Sequence, residues 1–244
     1  MSSSATNAAP RVRPRKIVLF DIDGTILWTD GAGRRAVFQA LKEHFGETGP
    51  GQHEFDGKTD PQIVRELLSH AGVAESDIDE RLHLVLDSYL SLLRAELQGA
   101  DHGNHVFPGV RELLVALEAR DDVLLGLLTG NIRPGARAKL AAVGISPDRF
   151  HVGAFGSDHH ERPELPEIAR QRAEALLGTP VSGRDVVVIG DTPADIACGV
   201  GIGARSIGVA TGRYSVEQLR ACNAAAVFPD LADTEAVVRA ILED

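Results

Sequence analysis

Two aspartates one residue apart, Asp21 and Asp23, follow the apolar run Ile17–Phe20 and open Asp21-Ile22-Asp23-Gly24-Thr25. A second acidic pair follows Val186–Ile189 in Gly190-Asp191-Thr192-Pro193-Ala194-Asp195. Between them, Val123–Leu128 runs into Thr129-Gly130-Asn131. Carboxylates crowded together repel, so four of them in one place need a compensating charge. Hard oxygen donors favour Mg²⁺, which binds through one or two carboxylates and leaves positions for water and a substrate phosphate. The hydroxyls and Gly-rich turns add donors for phosphoryl oxygens. The chemistry these residue types suit is metal-assisted phosphoryl transfer. A lone Asp-Gly is usually a turn, and Thr-Gly-Asn a loop or a helix cap. The weight comes from all three groups together, each after a strand-like run.

Those runs must be brought together by the fold. Ile17–Phe20, Val123–Leu128, Val186–Ile189, Arg205–Val209 and Ala225–Phe228 read as buried strands. Helical patterns lie between the later ones: Gly109–Ala119, Pro134–Val143, Glu164–Leu177, Pro193–Val200, Val216–Ala221 and Thr234–Leu242. Strands alternating with helices predict an α/β fold, a parallel sheet covered on both faces. In such a sheet the carboxyl ends of the strands share one edge, where ligands bind. The alternation fails between about Trp28 and Asn104, which shows helical spacing and no strand. Val37, Phe38, Leu41 and Phe45 share one stripe; Ile78, Leu82, Val85, Leu86, Tyr89 and Leu93 share another. Asp60-Pro61 reads as an N-cap followed by a first-turn proline. The expected organisation is a disordered tail over 1–14, an α/β core over 15–28 and 105–244, and an all-helical insertion over 29–104.

Composition excludes several classes. The net charge is −10, while four basic residues (Arg11, Arg13, Arg15, Lys16) fall in the first sixteen positions. So acidic a body is a poor general binder of nucleic acid. No apolar run approaches the ~18–20 residues that span a bilayer, so no membrane partner is expected. Met1–Pro14 has no apolar segment of the kind a secretory signal carries. With two cysteines, Cys198 and Cys222, there is no disulfide framework or multi-cysteine zinc site, and a cytoplasmic location is the default. Cys198 lies in an apolar helix and reads as core. The pairs His102/His105 and His159/His160 lack helical metal-ligand spacing and lie in polar loops.

The three polar groups resemble three of the four motifs of the haloacid dehalogenase-like hydrolase superfamily, in the phosphoglycolate-phosphatase and β-phosphoglucomutase-like branch. The resemblance covers about residues 15–230. It implies a Rossmann-like core with a helical cap and Asp21 as nucleophile. Asp23 would protonate the leaving oxygen and then activate water. Mg²⁺ would be held by Asp21, the Asp23 backbone carbonyl and Asp191. Thr129, Gly130 and the Asn131 N–H would bind phosphoryl oxygens. The family's remaining motif is a lysine before the helix that precedes the last acidic motif. No lysine stands there; Arg162, before Pro163, is assigned its role, with a wider planar fork than an ammonium. Asp195 would orient Arg162 or the metal's waters from behind. The family's dehalogenases act on carbon and typically lack the second acid, so Asp23 with Asp191 argues for phosphate chemistry.

In this branch the cap supplies substrate contacts. Phe55-Asp56-Gly57-Lys58-Thr59-Asp60 is the expected specificity loop, with Lys58 and Thr59 as substrate-binding residues; Arg34 and Arg35 are weaker candidates. Trp28 is expected to pack at the hinge. The function expected is a Mg²⁺-dependent phosphatase on a small phosphorylated metabolite, phosphoglycolate-like or sugar-phosphate-like. The rivals are a phosphomutase of the same fold and a binding protein without turnover, and the latter sits poorly with retained Asp21, Asp23 and Asp191.

Overall fold

The computed structural model describes residues 16–99 and 103–243. The expected tail at 1–14 and His102 lie outside them. Strand β1 (Lys16–Phe20) is central in a six-stranded, all-parallel sheet. On one side lie β4 (Val123–Thr129) and β5 (Val152–Phe155); on the other, β6 (Val186–Gly190), β7 (Arg205–Val209) and β8 (Ala226–Phe228). Connecting and flanking helices are α4 (Val110–Glu118), α5 (Arg133–Ala142), α6 (Leu165–Leu177), α7 (Pro193–Cys198), α8 (Val216–Arg220) and α9 (Thr234–Leu242).

Side chains on a strand alternate between faces, and β1 is apolar on both. Val18 and Phe20 join a cluster with Leu113, Leu117 and Ile241 from α4 and α9. Ile17 and Leu19 join the opposite cluster with Leu165, Ala169 and Cys198 from α6 and α7. Cys198 is thus core, as expected. The register pairs Phe20 with Leu127 on β4 and with Ile189 on β6. The residues that follow these three strands therefore emerge side by side. The chain winds outward from β1 to β5, returns to β6 and winds the other way, and this reversal opens the crevice between β1 and its neighbours.

After β1, a two-residue strand β2 (Leu27–Trp28) pairs antiparallel with β3 (His105–Val106). Between them lie α1 (Ala32–Phe45), α2 (Asp60–His70) and α3 (Glu75–Gln98), packed around their own apolar cluster. Ile132, at the start of α5, joins that cluster from the core side. Four further links seat the insertion. The Asp60 N–H donates to Gly130 O at 2.8 Å, and the Thr59 hydroxyl to His160 O at 2.6 Å. Arg213, after β7, meets Glu54 at 2.9 Å and Asp56 at 3.4 Å.

Four local expectations change. Val152–Phe155 is a strand although Gly153 and Ala154 give it no β-branched signature. The pair β2–β3 is too short to show a period. The N-cap of α2 is Thr59, whose hydroxyl accepts from Gln62 N at 3.2 Å, so Asp60 is the first helical residue. Trp28 lies on the β2–β3 stem but keeps 43% of its surface exposed rather than packing there.

Leu19 is fully buried under α6 and α7, and Val115 is 60% exposed on α4. Leu19→Ala should lower the unfolding free energy in urea by about 2–5 kcal/mol. Val115→Ala should stay within about 0.5 kcal/mol of the parent.

Candidate active site

At the carboxyl edge of the sheet, the Asp21 N–H donates to Ile189 O at 2.9 Å, which locks the residue between β1 and β6. Its carboxylate lies 3.2 Å from Arg162 Nη2. Burial lifts the Asp21 pKa to about 7; Arg162 pulls it down, and Asp195 and Asp23 push it up. Asp191 is buried beside it and raised for the same first reason, with Asp195 and Asp21 adding repulsion. The Thr25 hydroxyl donates to Asp191 Oδ1 at 3.0 Å. Gly24 (φ +83°) and Gly212 flank the Asp191 carboxylate so closely that a Cβ at either would overlap it. Glycine at both places is what lets two loops close on this side chain.

Asp195 is fixed by a capping box at the start of α7. Its Oδ2 accepts from Thr192 N at 2.9 Å and Thr192 Oγ1 at 2.7 Å. Its other oxygen accepts from Arg162 Nη2. Arg162 stands in a single 3₁₀ turn ahead of α6, 4% exposed, with one nitrogen bridging Asp195 and Asp21. Its two acidic neighbours hold the guanidinium charged against the cost of burial. Its Nε is buried and without a hydrogen-bond partner. Arg162 and Asp195 thus lie together with Asp21 at the carboxyl edge of the sheet.

Thr129 closes β4 fully buried, its hydroxyl accepting from Asn131 Nδ2 at 2.8 Å. The same amide nitrogen donates to Asp23 Oδ2 at 2.7 Å. Gly130 has no room for a Cβ, because the Lys58 carbonyl of the insertion rests on it. Asp23 stands outside the group formed by Asp21, Asp191 and Asp195. Its carboxylate is gripped by Lys139 Nζ at 2.8 and 2.7 Å. Lys139, on α5, is missing from the sequence reading. The signal was present: Gly135, Ala136, Lys139 and Leu140 are the buried stripe of α5, so a lysine occupies a core-facing position.

These groups line a cavity of about 640 Å³ roofed by the insertion. The specificity loop is placed only in part as expected. Lys58 lines the cavity, but its ammonium pairs with Glu66 at 2.5 Å and lies 3.3 Å from His53 Nε2. Thr59 is buried away from the cavity wall, its hydroxyl engaged in capping α2 and holding His160, so its substrate-binding role is withdrawn. Arg34 lines the cavity with its guanidinium 4.5 Å over the Phe55 ring. Arg35 turns outward to Glu96 at 2.8 Å.

Among the described residues, one group of three potential metal ligands occurs, Asp21, Asp191 and Asp195, with oxygens within 4.8 Å of one another. Three buried carboxylates facing one guanidinium leave an excess of negative charge. Asp195 is already bonded on both oxygens, which leaves Asp21 and Asp191 to meet a cation. An all-oxygen, doubly anionic pair fits a hard divalent ion.

The chain matches the family described as haloacid dehalogenase-like hydrolase over residues 15–203. It is 25% identical over 231 residues to the "Probable phosphatase IndB" of Dickeya dadantii, covering 94% of this chain and 96% of that one. It is 28% identical over 200 residues to glycerol-1-phosphate phosphohydrolase 2 of Saccharomyces cerevisiae, covering 79% and 74%. Its fold resembles that of a predicted phosphoglycolate phosphatase from Haemophilus somnus, with TM-score 0.67, 19% identity and 93% and 99% coverage. With most of its length matched and Asp21, Thr129 and Asp191 gathered at one sheet edge, the chain belongs to the haloacid dehalogenase-like hydrolases.

Proposed function

We propose that this chain is a Mg²⁺-dependent phosphatase that hydrolyses a small phosphorylated metabolite, phosphoglycolate-like or sugar-phosphate-like, through an aspartyl-phosphate on Asp21. As an enzyme it is a phosphoric monoester hydrolase, in keeping with its family and relatives. The observation that carries the proposal is that Asp21, Asp191 and Arg162 lie together while Asp23, outside that group, lines the same cavity. Asp21, with Asp191 and Arg162, would meet the phosphoryl group and its metal, and Asp23 would face the leaving group. The insertion over 29–104 acts as the cap.

Asp21 attacks phosphorus, forming an Oδ–P bond as the bond to the leaving oxygen breaks. Asp23 gives its proton to that oxygen and takes one from the water that attacks phosphorus in the second step. That step breaks the Asp21 Oδ–P bond and frees phosphate. Arg162 and the Thr129 hydroxyl hold the equatorial oxygens, and the Gly130–Asn131 turn adds backbone donors. Mg²⁺, held by Asp21, the Asp23 carbonyl and Asp191, would neutralise charge between nucleophile and phosphate. Asp195 steers Arg162. A cavity of about 640 Å³ suits a small-molecule substrate. Lys58, neutralised by Glu66, is a weaker reader of an anionic leaving group than Arg34.

A screen of phosphorylated metabolites for free phosphate tests the reading, with sugar 1-phosphates also followed for isomer formation. Isomer in place of phosphate would make the chain a mutase. Activity should vanish in excess chelator and return with Mg²⁺; undiminished turnover in chelator would contradict the metal role. Asp21→Asn should abolish turnover while leaving the circular dichroism spectrum unchanged.

Arg162→Met has a separate consequence. It leaves Asp21 and Asp195 buried without their partner, so in chelator the unfolding free energy should fall by about 3–5 kcal/mol. An unchanged urea midpoint would contradict the buried pairing.

A further inference from the structure

Lys139 is 5% exposed, and its ammonium is within 2.8 Å of both oxygens of a carboxylate that is itself 35% exposed to the cavity. A lysine pairing with a cavity-facing aspartate for stability alone would keep its own head in water, because desolvating an ammonium is costly. Here the head is withdrawn and walled in. A Cβ at Gly33 would lie 3.4 Å from Nζ, and 3.8 Å from the Tyr89 hydroxyl. Both Gly33 and Tyr89 belong to the helical insertion.

A third group of the insertion, Asp60, completes the enclosure. Its Oδ2 accepts from Ile132 N at 2.8 Å, at the start of the helix that carries Lys139. The buried Tyr89 hydroxyl interacts with the same carboxyl, whose charge helps to raise its pKa. Burial raises the Asp60 pKa to about 6, and Lys139 is the charge that opposes this most. One buried ammonium thus stands between a carboxyl of the insertion and a carboxylate of the core. On the core side, Asn131 Nδ2 adds a second donor to Asp23. Tyr89, Asp60, Lys139, Asp23 and Asn131 form one polar thread through an otherwise apolar contact, where Leu93 and Ile132 also meet.

We propose that Lys139 is a positioning residue that fixes the orientation of the Asp23 carboxylate, and that Asp60 and Tyr89 of the insertion hold Lys139 in place. Seating the helical insertion on the core then sets Asp23 for proton transfer to the leaving group. The inference rests on the role proposed above for Asp23 and adds the group that aims it. Lys139 touches neither the phosphoryl side of the cavity nor Arg162. Its influence is confined to the step in which Asp23 takes part.

The test is a double-mutant cycle on the full chain with Mg²⁺, followed in single turnovers. The near-isosteric variant is Lys139→Met. The substrates are glycerol 1-phosphate, whose alkoxide needs a proton to leave, and 4-nitrophenyl phosphate, whose phenolate does not. Misplacing a proton donor by about 1 Å costs on the order of 10²-fold where the proton is needed. Lys139→Met should therefore slow phosphoenzyme formation from glycerol phosphate by about 10–10²-fold and from nitrophenyl phosphate by less than about threefold. In an Asp23→Asn background the same change should cost less than about twofold on either ester, because its target is gone. Tyr89→Phe, which keeps the packing and removes only the hydroxyl, should show the same leaving-group dependence to a smaller degree; it also serves if Lys139→Met does not fold. Equal losses on both esters, or full additivity with Asp23→Asn, would overturn the positioning role. Wild-type turnover of nitrophenyl phosphate that Asp21→Asn abolishes stands for the reaction itself. Its absence overturns the reaction and this role together, whereas its presence with equal losses overturns only the role of Lys139.

Discussion

Asp21, Asp191 and Asp195 hold carboxylate oxygens within 4.8 Å of one another where water scarcely reaches. Left alone, such a cluster would take up protons or push itself apart. Much of the surrounding structure works against that outcome. Arg162 is buried to bridge two of the three, and the Thr192 capping box fixes the one that anchors Arg162. Glycines at 24 and 212 let backbone close over the third. The remaining negative charge suits the site to a hard divalent cation. The fourth aspartate is kept apart: Asp23 has its own cation, Lys139, on a different helix. Two carboxylates two residues apart in sequence thus acquire different neighbours.

The parallel sheet makes this possible because three strands end in step. Phe20, Leu127 and Ile189 are in register, so three segments far apart in the sequence deliver their first polar groups to one crevice. The insertion then roofs it. Contacts at Gly130, at the first turn of α2 and between the Asp60 carboxyl and Ile132 N bring it down onto the core beside the acidic groups. A roof seated directly on the reacting groups excludes water and can report its own closure to them.

The sheet and the acidic motifs were legible because they rest on strong local signals: unbroken apolar runs for β1, β4 and β6, each ending in a short polar motif. The place of Arg162 was legible from motif order, although burial between two aspartates was not. Val152–Phe155 escaped because Gly153 and Ala154 carry no strand preference of their own and owe their conformation to β4. The partners of Thr59 and Lys58 were not legible, because a polar residue in a loop says nothing of what it meets. One caps α2 and the other meets Glu66, eight residues on. Lys139 was overlooked because its partner Asp23 lies 116 residues away. The clue, a lysine on the buried stripe of α5, acquires meaning only when the facing surface is known to be acidic.

The central claim is that Asp21 carries the phosphoryl group. Wild-type protein mixed with excess substrate and Mg²⁺, quenched in acid within one turnover and reduced with borodeuteride, converts an acyl phosphate to deuterated homoserine at the acylated position. Mass spectrometry of the peptide spanning residues 16–33 should find that label on Asp21, and should find none when substrate is left out. Phosphate released at full rate with no label at Asp21, or with the label on Asp23 or Asp191, would contradict the account.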